Sequence, residues 1–189
     1  MPEHREKRGK RRIIAPVLGI IIFIIIIAAI ASILGSNAPV KPIITSTIEL
    51  RATDEPIKRS QLISNLDSYM AQAANPVLTE QWNKVISCLG QGCPDEAFSD
   101  TIFIVCSEFR KDTPNCELIM HLTAINKFWN EPERVLEFSK SMTTTDKIIS
   151  DSGNRRIIKT WNDLVKCNGK CAEKNDLFFK LIDEIIKYA

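Results

Sequence analysis

Histidine is almost missing from this 189-residue chain, which has only two: His4 and His121. That leaves little room for His-based metal or acid–base chemistry. The chain contains no phosphate-binding glycine loop, no Ser-His-Asp set and no His-Glu-x-x-His run. Cys-x-x-Cys is absent, which argues against a catalytic dithiol, and no Asn-x-Ser/Thr acceptor occurs, so N-glycosylation is not expected. A strong excess of one charge is also lacking. Lys and Arg total 25 against 23 Asp and Glu, a net +2 that does not suggest a nucleic-acid partner. His121 lies in the apolar stretch ELIMHLTAI and reads as a helix histidine rather than a general base. The acid pairs Asp95/Glu96 and Asp183/Glu184 are adjacent in sequence. Neighbouring helix residues do not face each other, so these pairs suit capping or a solvated face. These absences point to no cofactor, no metal and no catalytic residue, and so to a non-enzymatic protein.

What the chain does have is unevenly distributed. Residues 1–12 carry six basic residues (Arg5, Lys7, Arg8, Lys10, Arg11 and Arg12) against Glu3 and Glu6, a local +4. The remainder, with 19 basic and 21 acidic residues, is at −2. Ile13 to Leu34 is a run of 22 residues with no charge and eleven isoleucines. At about 1.5 Å per residue such a run spans roughly 33 Å, close to the about 30 Å of a bilayer core. The run is too long for the apolar region of an ordinary cleavable leader, so an uncleaved signal anchor is expected. Ala29-Ile30-Ala31 and Ser36-Asn37-Ala38 do fit a small-x-small cut site, and cleavage would release a secreted domain. The basic cluster before the span sets its orientation: residues 1–12 in the cytoplasm, the rest outside.

The segment RRIIAPVLGIII, residues 11–22, resembles the N-terminus of archaeal-type pilins, in which a basic stretch precedes an Ala/Ser-Pro-Val-x-Gly apolar helix. The resemblance covers about a dozen residues and implies a pilin-like surface subunit. That family usually carries a glutamate at the helix start, and this chain has none between Arg8 and Leu34.

All six cysteines, Cys88, Cys93, Cys106, Cys116, Cys167 and Cys171, fall in the part that charge assigns to the outside. An even number in an exported region reads as disulfides. Each neighbouring pair straddles a helix–helix turn, so the expected bridges are 88–93, 106–116 and 167–171, each closing a helical hairpin. A four-thiolate zinc site from Cys88, Cys93, Cys167 and Cys171 is the competing arrangement.

Residues 35–55, with prolines at 39 and 42, read as an extended stalk. From 56 to 189 helix-start signals recur without strand-like alternation, and the fold class is all-α. Helices are expected over about 58–74, 76–89, 94–110, 113–129, 132–142, 154–166 and 172–187, with a less regular stretch from 145 broken by Ser152-Gly153. A short repeat is visible. Trp82-Asn83 and Trp161-Asn162 each have apolar residues at −4, +3 and +4, then a cysteine, a glycine, a second cysteine and a helix containing phenylalanine. Trp129-Asn130 is a degenerate third copy. Two readings remain: a short array of hairpins with a concave surface, or two hairpins built alike around a tryptophan core.

The sequence therefore describes a bitopic cell-membrane protein with a basic cytoplasmic tail (1–12), one transmembrane helix (13–34), a stalk (35–55) and a disulfide-stapled helical extracytoplasmic domain (56–189). The expected role is a non-catalytic binding or assembly module of the envelope. Its partners would be the lipid bilayer and a protein outside the cytoplasm. The alternatives are the released secreted domain, the pilin-like subunit, and an enzyme using carboxylates or a Cys-bound metal.

Overall fold

The structure, a computed structural model, describes residues 39–109, 115–129, 131–168 and 170–188. Those residues form eight α-helices: α1 Val40–Ala52, α2 Pro56–Ala73, α3 Pro76–Cys88, α4 Asp95–Glu108, α5 Cys116–Phe128, α6 Val135–Asp151, α7 Arg155–Cys167 and α8 Lys174–Tyr188. A 3-10 turn, Pro132–Arg134, leads into α6. No strand occurs among the described residues, so the all-α expectation holds.

The expected stalk must be corrected. Val40, Ile43, Ile44, Thr47 and Leu50 recur at three- and four-residue spacing, and all five are buried. That is one face of a helix, not an extended linker. Its prolines do not prevent it. Pro39 precedes the helix, and Pro42 lies in the first turn, where a backbone N–H has no intrahelical partner to lose. The folded unit therefore begins near Ala38 rather than at 56. A second correction concerns α6, which does not stop near Met142 but runs to Asp151. The Thr143-Thr144-Thr145 run is a poor intrinsic helix former. Burial of Ser141, Thr145 and Ile149 along one stripe overrides that preference.

Helices α1, α4, α5 and α8 pack in a ring, each against the next, with α8 returning to α1. The ring is antiparallel throughout. Arg51 at the end of α1 reaches Asp95 and Asp176 at the starts of α4 and α8. Asn115, just before α5, donates to the Ile185 carbonyl near the end of α8 (3.2 Å). The α2–α3 hairpin covers α1 and α4, and the α6–α7 hairpin covers α5 and α8. This is a four-helix bundle flanked by two hairpins.

The second half of the chain repeats the first. The pairs α1–α2, α2–α3, α3–α4 and α1–α4 recur as α5–α6, α6–α7, α7–α8 and α5–α8. The correspondence holds residue by residue at a spacing of 79 (82 to 161). α2 ends on Ala74 in the left-handed region (φ 48°), and Gly153 holds the equivalent place after α6 (φ 64°). Asn75 and Asn154 then cap α3 and α7, accepting from Leu78 N–H (2.9 Å) and from Arg156 and Ile157 N–H (3.1 and 3.4 Å). Trp82 and Trp161 are buried, and each indole N–H donates to an aspartate fifteen residues earlier, Asp67 (2.7 Å) and Asp146 (3.0 Å). The register then shifts by one, so that Phe98, Ile102 and Val105 of α4 match Phe178, Ile182 and Ile185 of α8, all buried.

Candidate functional site

The helix termini define two ends of the bundle. One end gathers the last turn of α1 and the first turns of α4 and α8. Arg51 Nε donates to Asp95 Oδ1 at 2.6 Å, and its Nη2 donates to Asp95 Oδ2 at 3.2 Å and Asp176 Oδ1 at 2.8 Å. Asn175 Nδ2 adds a fourth bond, to Asp95 Oδ2 at 2.6 Å. The guanidinium also lies 4.4 Å from the Phe179 ring centre. Burial works against the Arg51 charge, but the hydrogen bonds to Asp95 and Asp176 outweigh it and hold its pKa above the usual guanidinium value. The signs match the helix dipoles: acids at two N-termini, a base at one C-terminus. Asp95, considered in sequence only as half of an acid pair, is thus a positioning group.

Beside this node a cleft of about 570 Å³ opens between α4 and α5. Glu96, Asp100 and Phe103 line it from α4, Thr123 and Lys127 from α5, and Lys174 from the start of α8, with Glu131 at the rim. Phe103 is exposed. Phe128, also in the wall, is covered by the Arg134 guanidinium at 4.1 Å. This cleft lies on the seam between the two halves and was not foreseen from sequence, because it is built from residues about 25 to 80 positions apart. Two smaller clefts lie elsewhere. One of about 380 Å³ lies beside the 88–93 loop, and one of about 280 Å³ lies among Asn115, Leu118, Ile149 and Ile157.

The six cysteines take up their expected places at helix turns. Cys88–Cys93 and Cys167–Cys171 are disulfides that close the α3–α4 and α7–α8 hairpins at equivalent positions. Bonded within each hairpin, these four residues do not supply the four thiolates of the zinc arrangement. Cys106 and Cys116 differ from the expected bridge. They are a buried thiol pair in contact, Sγ to Sγ 2.7 Å, between the end of α4 and the start of α5. The hydrogen bond with Cys116, and then burial, push the Cys106 thiol well above the ordinary range. That is the opposite of an activated nucleophile.

Trp82 and Trp161 are the paired core residues of the repeat. Trp129 is not their third copy: it follows the end of α5, partly buried and edge-on to Phe138 at a centroid distance of 5.5 Å. Its place in the repeat register is that of Leu50. His121 is partly exposed on α5. The basic residues Arg5, Lys7, Arg8, Lys10, Arg11 and Arg12 and the 13–34 span lie outside the described residues, among which no helix is long and apolar enough to cross a membrane. Among the described residues no group of His, Cys, Asp and Glu is arranged to hold a metal ion. No protein-family model matches the chain, and no curated protein or solved structure matches it.

Proposed function

We propose that the chain is a single-pass membrane protein whose helical extracytoplasmic domain is a non-catalytic binding or assembly module of the cell envelope. The observation that carries this reading is the uncharged run Ile13–Leu34, preceded by six basic residues and followed by a disulfide-bonded domain. The run matches a bilayer core in length, the charge bias orients it, and disulfides belong to oxidising compartments. With α1 beginning at Val40, only residues 35–39 separate the span from that helix. The open cleft on the seam of the bundle gives such a module a place to hold a partner.

Fractionation of expressing cells tests the anchor. The intact chain stays in the membrane after alkaline carbonate washing, and protease added to spheroplasts digests the domain but leaves an N-terminal fragment. A mature N-terminus near residue 32 or 39 would replace the anchor with the secreted form. Protection of the whole chain from protease would overturn the topology.

A further inference from the structure

Glu96, Asp100 and Phe103 stand at i, i+4 and i+7 on α4, so two carboxylates and an exposed ring form one stripe along the wall of the seam cleft. Lys127 and Lys174 face the same space. Among the described residues none of Glu96, Asp100, Lys127, Glu131 and Lys174 forms an ion pair or a side-chain hydrogen bond, although the chain pairs charges readily at Lys84–Glu80 and Lys187–Asp183. The backbone that carries Glu96 and Lys174 is tied to the Arg51 node. Glu96 follows Asp95 and Lys174 precedes Asn175, and Asp95 and Asn175 belong to the Arg51 node. A wall held in this way costs less to order on binding than one that must first be arranged.

We propose that this cleft binds an exposed polypeptide segment of a partner protein that carries a Lys or Arg side chain a few bonds from a carboxylate. The cationic head lies between Glu96 and Asp100 with its charge over the Phe103 ring, where cation–π attraction adds to the ion pairs. The carboxylate meets Lys127 and Lys174. A simple anion would face three carboxylates, a polycation two ammonium groups, and an apolar segment would bury unpaired charge. The volume, about 570 Å³, is that of a small-ligand site. This inference rests on the binding-module reading and names what the module holds.

The test uses the full chain in detergent micelles and the end-blocked peptide Lys-Ala-Glu carrying a fluorophore, read by polarisation. Controls replace its Lys or its Glu by Ala, and free lysine serves as competitor. Saturable binding is expected, weakened about two- to fivefold by either replacement, the range of exposed ion pairs. The variant Glu96→Gln/Asp100→Asn loses the preference for Lys but keeps that for Glu, and Lys127→Ala/Lys174→Ala does the reverse. Equal binding of all three peptides by the unaltered chain overturns the proposal, and so does competition by free lysine as strong as by the blocked peptide, which assigns the cleft to a small amino acid. Because these comparisons use the unaltered chain, they stand even where a variant misfolds. Failed binding with carbonate-resistant membrane retention removes this inference and leaves the anchor, whereas intact binding with release from the membrane does the opposite.

Discussion

Arg51 joins three helices through one side chain. It is mostly buried, with 16% of its side chain exposed, and meets two carboxylates and a phenyl face. Removing one partner of a buried ion pair costs more than the pair itself stabilises, because the remaining charge is left without compensation. Arg51→Ala is therefore expected to lower stability by about 2–3 kcal/mol. That is less than the about 3–5 for a fully buried pair, since Asp95 and Asp176 both reach water. The denaturant midpoint of the full chain measures it. Arg51→Lys restores only part, because an ammonium cannot form the two-pronged contact with Asp95 or lie flat on Phe179. A loss below about 0.5 kcal/mol, the usual size of an uninvolved surface change, would mean that the node does not hold the starts of α4 and α8.

At the scale of the element, α1 is the case in which composition and pattern conflict. Proline at 39 and 42 and a run of β-branched residues argue for extended chain, while the spacing of Val40, Ile43, Ile44, Thr47 and Leu50 argues for a helix. Burial on α4 and α8 decides the matter. Ile44→Ala is expected to cost about 2–5 kcal/mol, the range for large-to-small changes in a packed core. Exposed Lys41→Ala on the same helix should stay within about 0.5 kcal/mol. Urea midpoints of the two variants separate a core helix from a stalk, in which neither change would matter. The helices with strong start signals were legible: Asn75-Pro76, Asp95-Glu96 and Asn154 mark their own termini through local hydrogen bonding and dipole chemistry. The Trp82/Trp161 likeness was legible too, but its extent was not. Leu66 matches Thr145, Gln81 matches Thr160 and Thr101 matches Leu181, pairs alike in burial rather than in chemistry. The seam cleft was illegible for a related reason. Its charges lie on three helices and in the turn after α5, and only the packing of the two halves brings them together.

For the whole molecule, the question is whether disulfides or core make the fold. The bridges at 88–93 and 167–171 close loops of only five and four residues in sequence separation. In the chain-entropy model such short loops contribute about 2 kcal/mol each. The core, by contrast, runs unbroken through all eight helices, from Ile43 on α1 to Ile185 on α8, and a unit of this length buries enough surface to fold without staples. Loss of these two bridges is therefore expected to lower stability by about 4 kcal/mol without unfolding the chain: the helical circular-dichroism signal persists and only the melting midpoint falls. Loss of helix on reduction would show that the hairpin ends hold the fold. The same preparation reports on the third pair. Cys106 and Cys116 are already in contact, so an exported chain meeting a disulfide oxidant closes the bridge, the two thiols giving up two protons and two electrons to it. Alkylation in denaturant before reduction then finds no thiol. Two alkylated residues would mean that burial keeps the oxidant out. Six would mean that the domain never leaves a reducing compartment, and with that the outward topology would fall.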